Sequence, residues 1–360
     1  MKVQRVRIPE KDRITWLVIA DDYLSVRPIQ QYLTYLENVE RSPNTIRAYA
    51  YHLKLFWEYL QEAGLEWSGI GLSELSEFVA WLRYPHSGAL SMQEHIAKRS
   101  ESSINAILAA VCMLYDYQER IGAAKEIPLY RTRTLLHRRY KDFLSHINKS
   151  RPVQMQMLKL KEGENLPETL TYKQVEQLMS ACHHLRDRLL VSLLYESGMR
   201  IGQALGLQHT DIQSWDNVVH INPRTDNANG ARAKTYDSNV IHVPADLMAL
   251  YSDYLVYEFE DAESDYVFVN LWDGQYGHPM TYSAAADLFR RLSRKTGIRV
   301  HPHMLRHTHA TELKRAGWDS ALIQKRLGHK HIQTTEHEYI HLEDNDMKLS
   351  YQAYCETRKR

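Results

Sequence analysis

The segment from His301 to His341, HPHMLRHTHATELKRAGWDSALIQKRLGHKHIQTTEHEYIH, constrains the chain most tightly. It reads as two short helices, each with its own start and stop signals. Pro302 suits a first helical turn, where its missing N–H costs nothing, and Gly317 follows Lys314 and Arg315 as a glycine just past a helix end would. Asp319 can cap a second helix, which Gly328 ends. On the first helix His303 and Arg306 stand three residues apart and so share a face. His329 follows the second stop directly, aimed by a turn, and Tyr339 stands ten residues further on. One compact unit thus collects an Arg, two His and a Tyr.

A guanidinium presents a planar fork of donors that matches a phosphate in two-point contact, and it stays charged at any working pH. An imidazole carries protons near neutrality. A phenol, with an ordinary pKa of about 10, is a poor nucleophile unless nearby cations polarise its electrophile. The set suits attack by Tyr339 on a phosphodiester, with cations stabilising the charge that grows on phosphorus. The ordered pattern also resembles the signature of the tyrosine recombinases, or phage integrase family: H-x-L-R-H, then L-G-H, then Tyr. His303-Met304-Leu305-Arg306-His307, Leu327-Gly328-His329 and Tyr339 carry the match. The spacing from His329 to Tyr339 is one residue longer than the family most often shows. In continuous helix one residue turns a side chain by about 100°, and the polar run from Thr334 to Glu338 offers a turn to absorb it. Tyr351 and Tyr354 are more distant alternatives.

At 360 residues and 44% hydrophobic, the chain has material for two packed domains. A net charge of +1 is not the global signature of a nucleic-acid binder, yet charge is unevenly placed. Between Arg291 and Lys330 lie Arg294, Lys295, Arg299, Arg306, Lys314, Arg315, Lys325 and Arg326, against Glu312 and Asp319. Such a local basic surface is what phosphate binding requires. Cys112, Cys182 and Cys355 are too few and too scattered for a disulfide scaffold or a Cys-based zinc site, which fits a reducing, cytoplasmic setting. No stretch approaches the ~20 apolar residues of a membrane span. The short run from Ile14 to Ile19, soon followed by Asp21 and Asp22, argues against a signal peptide.

Taken in order, residues 1–26 read as a β-hairpin extension turning at Pro9 to Asp12. Residues 27–148 read as a helical domain. Ile29, Tyr32, Leu33 and Leu36 share one helical face. Ser42-Pro43 opens a second helix in which Tyr49, Leu53, Phe56, Trp57 and Leu60 recur, stopped at Gly64. Leu75, Phe78, Val79 and Leu82 mark a third, ended by Pro85, and Ile104, Leu108, Val111, Leu114 and Tyr115 a fourth. By themselves these make a generic bundle. They also resemble the family's core-binding domain, including S-x-x-T-x-x-x-Y at Ser42, Thr45 and Tyr49. The basic run Arg131, Arg133, His137, Arg138, Arg139 and Lys141 is either a solvated face or a strap across a duplex backbone. Residues 149–167, with Pro152, Gly163 and Pro167 and no periodicity, read as a linker.

Thr171 to Gln174 forms a capping-box pattern. After it, apolar Leu189, Leu190, Leu193 and Leu194 lead to Arg200. An Arg beside so much apolar sequence wants an anionic partner, and Asp187 and Asp211 are the candidates within the chain. Resemblance supplies another, since Ser197-Gly198-Met199-Arg200 matches the family's phosphate-clamping T/S-G-L/M-R. Where the family commonly has Glu three residues on, this chain has Gln203, which can orient a neighbour but adds no charge. Val218 to Ile221 and Val240 to Val243 read as strands joined by a long polar hairpin, with turn chemistry at Asn227-Ala228-Asn229-Gly230. Lys234, on the returning limb, is by itself a solvated lysine. It resembles the family's β-hairpin Lys, a mobile general acid, with Arg232 the alternative if the register slips. His303 and His307 have the i, i+4 spacing of metal ligands, but the Glu of H-E-x-x-H is missing, and packing or hydrogen bonding is the reading preferred for His307 and His309.

The resemblance implies a mainly α fold with a small β component. A helical, SAM-like core-binding domain precedes a mixed α/β catalytic domain at residues 168–344, with a tail at 345–360. In the family the two lobes close around double-stranded DNA. Carried over, Tyr339 attacks the scissile phosphate to give a 3′-phosphotyrosyl bond and a free 5′-hydroxyl. Arg200, Arg306 and His329 bind the non-bridging oxygens, His303 assists proton transfer at the nucleophile, and Lys234 protonates the leaving oxygen. The bond energy is kept in the phosphotyrosine, so neither metal nor other cofactor is implied. The family also implies self-association on DNA as a tetramer of two dimers, and accessory recombination proteins are a further partner class. The opening MKVQRVRI and its hairpin resemble transposases of site-specific bacterial transposons, which makes integration or excision of a mobile element the expected task. Two rival classes stand beside this: a catalytically impaired DNA-binding regulator of the same fold, and a metal-dependent nuclease using the histidine cluster.

Overall fold

The computed structural model describes residues 1–8, 13–84, 97–128, 130–133, 153–163, 168–224, 226–232, 238–260, 262–272 and 275–328. The chain divides into two compact units, Met1–Glu164 and Asn165–Arg360.

In the first unit β1 (Lys2–Ile8) and β2 (Arg13–Ile19) form an antiparallel hairpin, Lys2 opposite Ile19. Four helices follow: α1 (Arg27–Asn38), α2 (Pro43–Ala63), α3 (Leu72–Arg83) and α4 (Glu101–Arg120). Pro28 and Pro43 lie in the first turns of α1 and α2, where an N–H has no helical partner to lose. Gly64, at φ +63°, ends α2 in the left-handed conformation. The apolar faces close on a core of Leu53, Phe56, Leu75, Phe78, Leu82, Ile104 and Leu108, all fully buried. Phe56 meets Phe78 and Tyr115 edge-on, with ring centroids 5.0 and 5.9 Å away, a geometry favoured by the ring quadrupoles.

The bundle keeps more of the chain than periodicity implies. β3 (Tyr130–Arg133), which carries the start of the basic run, pairs antiparallel with β4 (Val153–Gln156). Beyond β4, Leu158 and Leu160 pack against the bundle core. Asn105 brackets Leu160, donating to its carbonyl at 3.0 Å and accepting its N–H at 2.8 Å. The stretch read as linker at 149–167 therefore holds a strand and a docked segment. Residues 137–141 of the basic run lie outside the described residues.

The second unit runs through α5 (Tyr172–Ala181), α6 (Leu185–Ser197) and α7 (Ile201–Ala204) to a three-stranded antiparallel sheet. Its strands, in order, are β5 (Ile212–Gln213), β6 (Val218–Ile221) and β7 (Asn239–His242). Then come α8 (Ala245–Tyr254), a π-helical turn (Leu255–Phe259), α9 (Tyr282–Thr296), α10 (Pro302–Arg315) and α11 (Ser320–Leu327). Thr171 Oγ1 accepts the Gln174 N–H and Gln174 Oε1 accepts the Thr171 N–H, so the capping box closes α5 reciprocally. α6 is buried on nearly every side, which is why its sequence shows no apolar stripe. Arg186 and Asp187 are buried with it as a pair 2.6 Å apart, the guanidinium also lying 4.4 Å from the Trp272 ring centroid. The fold is mainly helical with small sheets, as the resemblance implies. No described helix is long and apolar enough to cross a membrane.

Candidate active site

α6 stops at Gly198, whose φ is +64°. A Cβ there would come 2.7 Å from His309 Cδ2 and 2.8 Å from Leu327 Cδ2, so backbone conformation and packing both demand glycine. The turn delivers Arg200 to the start of α7. Gln203 Oε1 accepts the Arg200 N–H at 2.8 Å. The residue that replaces the family's Glu thus fixes the backbone of Arg200 and closes the first turn of α7. Both carboxylates weighed as partners for Arg200 are engaged by other arginines. Asp187 binds Arg186, and Asp211 takes two bonds from Arg224, at 2.6 and 2.8 Å, and one from Asn222. Burial would push the Asp211 carboxyl up, but these bonds and one from the Gln208 N–H outweigh it and hold the group below the usual carboxylate range.

Arg306, one turn beyond His303 on α10, is 1% exposed. Its Nη1 donates to Gly198 O at 2.7 Å and its Nη2 to Leu327 O at 2.9 Å. One guanidinium therefore fastens the turn that precedes Arg200 to the turn that precedes His329, across 108 positions on one side and 21 on the other. A carbonyl satisfies a buried donor without itself adding a formal countercharge. Asn239 of β7 completes the cradle by donating to Lys325 O and Arg326 O, at 3.2 and 3.0 Å. The last three carbonyls of α11 are thus all taken by side chains from other elements.

A second guanidinium braces the same corner. Arg326 Nε donates to His309 Nε2 at 2.9 Å, and its Nη2 donates to Glu196 O and His242 O at 2.8 and 3.1 Å. Burial, reinforced by the charges of Arg326 and Arg306, pushes His309 down to about 3. It therefore stays neutral and accepts. Burial also pushes His307 down to about 4, helped by His303, Arg306 and His301. The His303 and His307 rings meet edge-on at 4.4 Å. Among the described residues no three His, Cys, Asp or Glu side chains gather as a metal site.

Of the six residues named from the sequence, Arg200, His303 and Arg306 are described. Lys234, His329 and Tyr339 lie outside the described residues, as do Tyr351, Tyr354 and the tail. Arg232, the alternative to Lys234, is exposed, and its carbonyl rests against Gly202. Arg326 and Asn239 are braces that no motif marks. In the sequence Arg326 is one residue of the basic surface, and its place beside the L-G-H motif is the available signal.

Comparison with known proteins places this arrangement. Residues 168–346 match the model of the phage integrase family, and residues 29–122 that of the phage integrase N-terminal SAM-like domain. The chain belongs to the phage integrase family. Over its whole length it is similar to Transposase A from transposon Tn554 of Staphylococcus aureus, with 44% identity over 361 residues, 100% of this chain and 99% of that one. Among solved structures, the Tn1549 transposon integrase in complex with a circular intermediate DNA shares the fold at a TM-score of 0.63. Its identity is 16%, over 91% of this chain and 99% of that chain. The XerH site-specific recombinase bound to a palindromic difH substrate gives 0.60 and 19%, over 91% and 84%.

Proposed function

We propose that Arg200, Lys234, His303, Arg306, His329 and Tyr339 together run strand cleavage and rejoining through a phosphotyrosine. The chain is a site-specific DNA recombinase of the tyrosine class, an enzyme that breaks and rejoins duplex DNA. The Tyr339 oxygen bonds to phosphorus as the bond from phosphorus to the 5′-oxygen breaks. The phenolic proton leaves toward His303, and Lys234 gives a proton to the departing oxygen. Arg200, Arg306 and His329 stabilise charge on the non-bridging oxygens. Attack by a new 5′-hydroxyl reverses the sequence and releases Tyr339, so no external energy source is needed.

The observation that carries this reading is the Arg306 clamp, which joins the backbone leading to Arg200 with the backbone leading to His329. Similarity to a transposon's transposase supports integration or excision of a mobile element as the task, carried out in the cytoplasm. Two protomers occupy each site and four form the strand-exchanging complex. A nicked suicide substrate tests the chemistry. The wild type yields a denaturation-resistant DNA adduct and Tyr339→Phe yields none. An adduct that persists in Tyr339→Phe, or that maps to Tyr351, overturns the assignment. Specific binding with no adduct from the wild type makes the chain a regulator instead.

A further inference from the structure

We propose that Asn229 is a positioning residue for the proton donor, fastening the limb that leads to Lys234 onto the segment that carries Arg200. The inference rests on Lys234 being that donor.

The turn at residues 227–230 is held far more firmly than a surface turn requires. A turn needs only the local bond from Gly230 N–H to Asn227 O, at 2.8 Å, and a glycine free to take φ +70°. Here the Asn229 side chain reaches away from the turn. Its Nδ2 donates to Leu205 O at 2.9 Å and to Met280 O at 2.8 Å, while its Oδ1 accepts the Ala231 N–H at 2.9 Å. Asn227, 9% exposed, donates to Ala231 O at 2.8 Å, so Ala231 is gripped at both its N–H and its carbonyl. Tyr266 adds a third tie, its hydroxyl accepting the Ala228 N–H at 3.1 Å.

This turn lies on two glycines. A Cβ on Gly202 would meet Arg232 O at 2.8 Å, and one on Gly206 would meet Asn227 Nδ2 at 2.9 Å. Gly202 belongs to α7, whose first turn Arg200 opens, and Leu205 caps its end. The limb is therefore bonded to the same short helix that presents the phosphate-binding Arg200. Lys234 follows Arg232 by two residues, a length of chain that spans at most about 7 Å. The contact of Arg232 with Gly202 anchors the described end of the limb two residues before Lys234, and a donor supplied from an anchored limb gains from proximity.

The test compares two suicide substrates, one with the natural bridging 5′-oxygen and one with sulfur there. A thiolate leaves without a proton, so sulfur removes the need for the donor. Asn229→Ala lowers cleavage of the oxygen substrate by about 10²-fold, the scale of a small misplacement, and leaves the sulfur substrate nearly unchanged. Gly202→Ala, which pushes the limb away instead of cutting its tether, gives the same signature. The rates are compared within one preparation, so partial unfolding lowers both and cancels in the ratio. Equal loss on the two substrates in Asn229→Ala overturns the positioning role. Lys234→Ala separates the premises: if it shows the sulfur rescue and Asn229→Ala does not, only the positioning inference fails. If Lys234→Ala is impaired equally on both substrates, the donor assignment fails and takes the inference with it.

Discussion

The two units solve the problem of a buried interior in opposite ways. Among the described residues, the buried polar side chains of the first unit are Thr15 and Gln118. The second unit buries Arg186, Asp187, Gln203, Asp211, Asn227, Arg306, Thr308 and His309, along with two serines. The first instead fills its centre with rings, Phe56 and Phe78 among them. Apolar contacts are non-directional, so a bundle built this way tolerates repacking while total volume is kept. Hydrogen bonds are directional, and a buried donor without its partner is costly. The second unit thus gives up tolerance for geometry, as holding Arg200 and Arg306 in register demands.

Three changes separate the apolar interior from the hydrogen-bonded one. Phe56→Ala removes a fully buried ring at the centre of the bundle and costs about 3–5 kcal/mol there. Hydrogen exchange resolved by segment then shows lost protection in α1–α4 and unchanged protection in α5–α11. Loss that spreads to α5–α11 would mean the units are not energetically separate. Arg306→Ala reduces adduct formation by about 10²- to 10³-fold, the scale of a removed charge stabiliser, and does so on oxygen and sulfur substrates alike. Arg306→Lys restores little, because an ammonium lacks the planar fork that reaches Gly198 O from one nitrogen and Leu327 O from another. Recovery to within a few-fold by Lys would reduce the clamp to a bare positive charge.

The smallest effect is set by pH. His309 and His307 are depressed to about 3 and about 4 in the folded chain, below the ordinary value of about 6.5. The unfolded chain therefore takes up their protons first, and the stability they contribute is complete above about pH 6.5 and is lost as pH falls toward those folded values. Each such group adds at most about 1.4 kcal/mol per pH unit to that slope. His309→Gln keeps an acceptor for Arg326 but cannot titrate, so the second unit's denaturation midpoint should fall less steeply between pH 6.5 and 5. An unchanged slope would show that His309 is not protected from protons by its neighbours.

What the sequence discloses follows the same divide. Local signals are legible because a cap or stop acts within one turn of chain. Thr171 with Gln174, Asp319, and glycines 64 and 328 all mark helix ends in the structure. The aromatic and leucine stripes of α1–α4 are legible for a related reason, since one face is buried and the other wet. The pairing of Tyr130–Arg133 with Val153–Gln156 is not. Short strands without clear alternation, brought together from far apart, leave no period to read. Nor is the interior of α6 legible, because burial on nearly every side erases the stripe. In the site, Arg306 announces itself by its motif, but the partners that fix it are backbone carbonyls, and a carbonyl has no letter of its own. Asn227 and Asn229 mislead in another way: asparagines in a turn look sufficiently explained by the turn.

The capping of α11 has a mechanical consequence. The eight-residue helix is too short to hold itself together in water, and its exit carbonyls are held by Asn239 from β7 and Arg306 from α10. Tension applied to the chain beyond Gly328 is therefore shared among those anchors before the helix can unravel from its end. The element behaves as a moored post, and strain arriving along the downstream chain is carried straight to the guanidinium at the centre of the site.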